Sequence, residues 1–288
     1  MIMSDNITRR QHFVPQFYLN QFVDETGLLN CYRKRDGKRF RAHAKDICFK
    51  EYGYEVEYSL GNNKFLLPNE IEMMFCSLEG EYSSVLRSVV GKCLLNANGM
   101  ALICTSREKE VLASMVANFL TRNFEVVDTF VDENTTQELL NTNQEISDID
   151  NMLRELKLGD AKPFLELAQK KLFLCPTEEG VTKNIIGSLM KMNLTFFVTN
   201  TLKFVTSDCP VGYNCSADEL IMTRIPLSTE VMAVYSSSEV SRSFRNRARL
   251  IEKRFVKKLN RDYIDWDVSR MIIARSQDDI SLLLSCVE

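Results

Sequence analysis

Leu28-Leu29-Asn30-Cys31-Tyr32-Arg33-Lys34-Arg35-Asp36-Gly37-Lys38-Arg39-Phe40-Arg41-Ala42 is the stretch that decides the fold class. Two strand-forming runs flank Asp36-Gly37, a dipeptide that tolerates the left-handed backbone of a tight turn, so the segment reads as a β-hairpin. A lone hairpin cannot bury its own face. Its partners must come from elsewhere, and β texture returns in force only after about residue 195. Short runs rich in β-branched and aromatic residues then follow at 195–199, 203–206, 222–227, 230–235 and 270–275, with Asn200-Thr201 as the turn between the first two. A further short strand is expected over 52–58.

Between these β-rich ends the pattern is helical. Pro68-Asn69-Glu70 offers a helix start, and Ile71, Phe75, Leu78, Tyr82, Val85, Leu86, Val89 and Cys93 recur at spacings of three and four. Thr105-Ser106-Arg107-Glu108 has the form of a capping box before Val111, Leu112, Met115, Val116, Phe119 and Leu120. Residues 132–157 are polar and acidic with a thin apolar stripe, which suits a peripheral helical hairpin. Residues 161–174, 181–194 and 238–260 also read as helices. The expected fold is one α+β domain over 1–288, a small mixed or antiparallel sheet with strands from both chain ends and a central helical layer or bundle. Its parts are an N-terminal motif and hairpin (1–66), a helical part (67–194) and a β-rich part (195–288).

At 288 residues, 45% of them hydrophobic, the chain can build a sizeable core. A net charge of -3 gives no global field toward nucleic acid or membrane, so such a partner must be held locally. No apolar run reaches the roughly 20 residues of a membrane span, and the N-terminus lacks a signal-peptide core; the expected location is cytoplasmic. Nine cysteines without a Cys-x-x-Cys pair, beside only two histidines, read as reduced core thiols rather than a zinc site. No phosphate-binding loop, Gly-x-Gly-x-x-Gly turn, Gly-x-Ser-x-Gly elbow or His-Glu-x-x-His is present, which argues against ATP hydrolysis, dinucleotide redox chemistry and the usual serine hydrolases.

Four places carry candidate chemistry. Gln11-His12-Phe13-Val14-Pro15 sets a histidine in a proline-fixed, extended segment near Arg9 and Arg10, as a general base or anion contact, or else as a ring packed among aromatics. Thr206-Ser207-Asp208-Cys209-Pro210-Val211 follows a strand; Asp208 there either orients a histidine, holds a metal or activates water, or caps its own turn. Arg122 ends the second long helix, and Glu79 and Glu81 sit in the first. Finally, Arg242, Arg245, Arg247, Arg249, Lys253, Arg254, Lys257, Lys258 and Arg261 stand against one acid, Glu252. That face could contact phosphates, or simply be solvated or paired with the acidic 132–157 segment.

Taken in order, these motifs resemble an uncharacterised, mostly bacterial family, domain of unknown function 4238. Its members open with a Gln/His-His-Tyr/Phe-Val-Pro-x-Phe-Tyr-Leu-x-x-Phe segment, matched by residues 11–22. The resemblance continues at Gly37-Lys38, Lys45-Asp46-Ile47-Cys48, Ile71-Glu72, Arg122, residues 204–211, Ile225-Pro226-Leu227-Ser228 and Leu259-Asn260. Two departures stand out: Cys209 replaces the family's asparagine after the aspartate, and a glutamine frequent before the central arginine is absent. Some family members look like single-gene anti-phage defence proteins, and the resemblance implies a defence effector or sensor.

Two expectations follow. In the first, the protein is a nucleic-acid-targeting hydrolase, a nuclease, in which His12 and Asp208 share a site. Arg122 is then the third catalytic residue, Gln11, Lys45, Arg245, Arg249 and Lys253 contact RNA or DNA, and a divalent metal ion is a candidate cofactor. In the second, it is a non-catalytic sensor of a phage protein or nucleic acid, acting by binding and assembly, with its polar motif residues buried and satisfied and a large apolar patch elsewhere.

Overall fold

A computed structural model describes residues 8–60, 63–67, 71–131, 133–177, 179–216, 219–237 and 244–286. The chain opens with β1 (Arg10–His12), the one-turn helix α1 (Gln16–Leu19), β2 (Leu29–Arg33) and β3 (Lys38–Ala42). A 3-10 turn (Ala44–Asp46), β4 (Phe49–Glu51), β5 (Val56–Leu60) and β6 (Asn63–Leu67) follow. The helical part is α2 (Ile71–Leu95), α3 (Ser106–Thr121), α4 (Phe124–Phe130), α5 (Glu133–Thr142), α6 (Gln144–Glu155), α7 (Lys162–Leu174) and α8 (Val181–Lys191). The C-terminal part is β7 (Asn193–Val198), β8 (Thr206–Ser207), β9 (Gly212–Ser216), β10 (Glu219–Pro226), β11 (Val231–Ser236), β12 (Ala248–Leu250), α9 (Lys253–Tyr263), β13 (Met271–Ala274) and α10 (Gln277–Leu284).

The Asp36-Gly37 hairpin forms as expected, with Gly37 at φ 66°. It becomes half of a four-stranded sheet in the order β3-β2-β13-β8, so strands from the two chain ends do pair. The expected α+β class holds, but the β part is divided. A five-stranded mixed sheet, β12-β7-β11-β10-β9, is built entirely from the C-terminal part, and β1-β4 and β5-β6 are two small ribbons. The expected pairing through Asn200-Thr201 is corrected here: β7 belongs to the five-stranded sheet and β8 to the four-stranded one.

The long helices follow their apolar spacing. Ile71, Phe75, Tyr82, Leu86, Val89 and Cys93 of α2 are buried. Thr105 caps α3 with Glu108 completing the capping box, so two otherwise orphaned N–H groups are satisfied. The expected helix start at residues 68–70 lies outside the described residues. Two expectations fail. The helix expected to 194 ends at Lys191, because Asn193 onward pairs with β11. The helix expected over 238–260 is a strand and a shorter helix: residues 238–243 lie outside the described residues, β12 pairs parallel to β7, and α9 starts only at Lys253. Asn246, at φ 52°, fixes that break. Its side-chain amide bonds both the N–H and the C=O of Cys104, a long-range contact that competes with helix.

Core packing forms one large cluster where α1, α2, α3 and α8 meet the five-stranded sheet. A second lies beneath α9 and α10, and a small third unites Tyr54, Ile71, Phe75, Phe124, Val127, Phe173 and Leu174. Five of the nine free cysteines, Cys31, Cys48, Cys93, Cys104 and Cys175, are buried thiols. Among the described residues no helix is long and apolar enough to cross a membrane.

Candidate functional site

β1 pairs with β4 so that His12 lies opposite Phe49. Strand side chains alternate between faces, so Gln11 and His12 point opposite ways. Gln11 points inward and is fully buried. Its amide donates to Glu55 Oε1 at 2.8 Å, and its oxygen accepts the Tyr54 N–H at 2.8 Å. His12 stays half-buried beside the Phe49 ring, with centroids 5.7 Å apart. Its Nε2 meets the Lys45 carbonyl at 3.3 Å. A carbonyl only accepts, so Nε2 carries the proton and Nδ1 keeps a free lone pair. Burial pushes the His12 pKa down, the Lys45 carbonyl opposes this, and the charge of Arg122 lowers it again. The ring is therefore a neutral base near pH 7.

Arg122 closes α3 and turns back across α2. It is 2% exposed, its Nη1 is 2.7 Å from Glu79 Oε1, and its guanidinium lies 3.9 Å from the Phe75 ring centroid. The Tyr54 hydroxyl donates to the Arg122 carbonyl at 3.0 Å. Glu72, Cys76 and Glu79 share this face of α2, because positions three, four and seven apart lie together on a helix. Burial is the largest influence on Glu72 and pushes its pKa up to about 7; Arg122 opposes that, while Glu79 and Glu55 add to it. The cluster holds one buried acceptor, Glu72 Oε2, and one buried donor, Arg122 Nε, that nothing among the described residues satisfies. An unsatisfied buried polar atom calls for a cause, such as strain, a catalytic role or a bound water or ion. Lys170, also buried, pairs with Glu166 at 2.9 Å and reaches the Glu55 carbonyl at 3.3 Å, closing the inner side.

Asp208 is placed differently. No hydrogen bond joins it to His12. Its Oδ1 accepts from the N–H groups of Arg270 at 3.0 Å and Met271 at 3.1 Å, and Oδ2 from Arg270 at 3.2 Å. Burial raises its pKa against the pull of those N–H groups. Asp208 thus caps the start of β13; burial pushes the Cys48 thiol pKa up, and the charge of Asp208 adds to this. The 45–48 segment lies near both motifs: the Lys45 and Cys48 carbonyls bond His12 and Phe13, and the Cys48 thiol feels the charge of Asp208.

Gln11 and Arg122 meet through Tyr54, His12 meets the Lys45 carbonyl on the other face of β1, and Asp208 is held at the start of β13. Lys45 is exposed on the 3-10 turn. Arg249 on β12 lies over the Phe244 ring at 5.0 Å, Arg245 precedes that strand in an exposed turn, and Lys253 begins α9. No hydrogen bond or ion pair among the described residues joins Arg249 or Lys253 to Arg122. Tyr54, Glu55 and Lys170 carry no signal in the sequence, and Glu72 enters there only as part of the family-like Ile71-Glu72 helix start. The seven-residue separation of Glu72 from Glu79, on the face that carries Phe75, was the signal available for its place in the cluster. Among the described residues no three His, Cys, Asp or Glu side chains converge as metal ligands.

One consequence concerns pH. Because the folded pKa of Glu72 lies above its ordinary value of 4.5, the fold favours the protonated form. That contribution is full below about pH 4.5 and is lost as pH rises through 7. Glu72→Gln keeps it at all pH values. Urea unfolding should show wild type losing roughly 2 kcal/mol relative to the variant between pH 5 and 8, the partial exposure of Glu72 reducing the full shift. Parallel pH curves for the two proteins would show that Glu72 titrates normally.

A family model described as protein of unknown function, DUF4238, matches residues 10–278. No curated protein and no solved structure matches the chain.

Proposed function

The chain belongs to that family of proteins of unknown function, and from this premise we propose that it is an anti-phage defence protein, a nucleic-acid-targeting hydrolase working by proton transfer at Glu72 and His12. The observation that carries the reading is the Glu72 carboxyl, poised near neutrality with an unsatisfied oxygen beside a buried arginine. A general acid is most effective with its pKa close to the working pH. The charge of Arg122 acts on both His12 and Glu72, and the reading requires one phosphate to reach both: a water oxygen bonds to phosphorus and its proton passes to His12 Nδ1. The bond to the leaving oxygen breaks, and that oxygen takes the proton held by Glu72. Lys45, exposed beside His12, contacts the phosphate. Arg122 faces no solvent; it is a positioning residue that holds Glu79 and sets the charge of Glu72. Asp208 supports the fold behind the site. The defence setting rests on the family resemblance.

A second reading, a non-catalytic sensor, is favoured by a groove of about 840 Å³ between the end of α3, α4, α8 and the β9–β10 edge. Its rim shows Phe130 at 59% and Tyr213 at 55% exposure, and its size is that of a ligand site. The deciding experiment incubates wild type, Glu72→Gln and His12→Ala with labelled RNA and DNA, with and without magnesium or manganese, beside phage plating. The hydrolase reading expects cleavage by wild type and about a 10²-fold loss in each variant. It expects the limb of the pH profile near 7 to vanish in Glu72→Gln. Absent cleavage by wild type, with phage protection kept by both variants, establishes the sensor instead.

A further inference from the structure

α9 is unusual among the helices because its polar side carries positive charge almost alone. Lys253, Arg254, Lys257, Lys258 and Arg261 are set against Asp262. Arg254 pairs with Glu252 at 2.9 Å and Arg261 with Asp262 at 2.9 Å. Lys253, Lys257 and Lys258 make no ion pair among the described residues, so three cations on one short helix are free for an anionic partner. The opposite side is occupied. Val256, Asn260 and Tyr263 are buried, and Asn260 bonds Val205 N–H and the Lys203 carbonyl. No apolar face is left for insertion into a lipid surface, which separates this helix from an interfacial membrane helix.

One exposed aromatic ring lies among the cations on α9, and a second lies at the far end of the neighbouring strand β12. Phe255 on α9 is 47% exposed with the Arg254 guanidinium 5.0 Å from its centroid. Phe244, 39% exposed, lies just before the edge strand β12 with Arg249 at 5.0 Å. An exposed ring backed by a guanidinium offers a stacking surface to a flat base, and the spare lysines track a phosphate backbone. Only an unpaired base can lie on such a ring; a duplex keeps its bases stacked on one another.

We propose that α9 and the β12 edge form a binding surface for single-stranded nucleic acid, with Phe255 and Phe244 stacking bases and Lys253, Lys257 and Lys258 holding phosphates. This deepens the hydrolase reading by naming single strands as the substrate class. The surface lies outside the Glu72 cluster, so binding and cleavage are separately measurable.

The test is fluorescence anisotropy with a labelled mixed-sequence 20-nucleotide RNA and DNA, the corresponding duplexes, heparin, and anionic phosphatidylserine vesicles. The proteins are wild type, Phe255→Ala and the triple variant Lys253→Gln/Lys257→Gln/Lys258→Gln, with circular dichroism to verify their folding. Wild type is expected to prefer single strands over duplex. Affinity should fall at least about fivefold in Phe255→Ala, since a base–ring contact is worth about 1–3 kcal/mol. In the triple variant the slope of log K against log salt should flatten by about 2, from three phosphate contacts at roughly 0.7 each. Equal binding of duplex and single strand, or no effect of Phe255→Ala, overturns the proposal in favour of simple polyanion attraction. Vesicle binding without binding of single strands assigns the surface to membrane and overturns it as well. Single-strand binding without any cleavage leaves the surface standing and removes the hydrolase.

Discussion

Replacing Arg122 with alanine lowers the unfolding free energy by about 3–5 kcal/mol, the cost of removing one partner from a buried charge pair. Thermal unfolding should fall by about 8 °C in a chain of this size. Three losses combine. Glu79 loses its partner at 2.7 Å, Phe75 loses the guanidinium against its ring, and Glu72 loses the positive charge that restrains its pKa. Arg122→Lys keeps the charge but not the flat fork, so it should recover only part of the loss. Adding Glu72→Gln and Glu79→Gln to an Arg122→Met protein removes the stranded carboxylates and should restore much of the stability, because a neutral replacement of an ion cluster is often tolerated. If Arg122→Ala unfolds like wild type, the cluster is not an electrostatic unit and the site reading loses its frame.

The same cluster shows what the sequence could and could not disclose. α2 and α3 were legible because their buried residues recur at helical spacing and Thr105 with Glu108 marks a start. Arg122 stood out as a charge at the end of an apolar stripe, and Glu79 as a charge within one. Their pairing was not legible, because it depends on α2 and α3 running antiparallel, with Tyr82 bonding Asn118 and Ser114 between them. Tyr54, Glu55 and Lys170 join from a turn and a remote helix, where no local period announces them. The basic stretch before residue 253 misled for a related reason. Its charges suit a helix, yet Asn246 binds Cys104 and Ala248 pairs with Phe196, partners more than 50 residues away.

The opening motif is instructive in another way. It does meet the C-terminal Thr206–Val211 region, but through Tyr18. That hydroxyl donates to the Pro226 carbonyl at 2.8 Å and shares a 2.9 Å bond with Thr206, which Tyr263 also approaches at 3.3 Å. One fully buried tyrosine thus ties three of the family-like segments together. His12 lies on the other side of the same segment, where Nδ1 has no hydrogen-bond partner among the described residues. The motif therefore combines an anchor, Tyr18, with a candidate base, His12, six residues apart.

Asp208 supplies the second large effect, and its variants separate scaffold from chemistry. Asp208→Ala strands the N–H groups of Arg270 and Met271 inside the protein, each costing about 1–3 kcal/mol, so a loss of about 3 kcal/mol is expected. Asp208→Asn keeps an oxygen where Oδ1 accepts both N–H groups. Burial already disfavours the ionised carboxylate and raises its pKa, so ionisation costs the wild type more as pH rises through that pKa. The amide carries no such cost, and Asp208→Asn should stay within about 1 kcal/mol of wild type, gaining on it toward high pH. Chemical denaturation of the three proteins at pH 5 and 8 measures this. An Asn variant as unstable as Ala would mean that β13 needs the negative charge rather than the acceptor. An Asn variant that folds like wild type but no longer cleaves nucleic acid would return Asp208 to the reacting centre with His12, against the hydrogen bonding seen here. Full cleavage by that variant removes Asp208 from the chemistry and leaves it as the clasp that holds the start of β13.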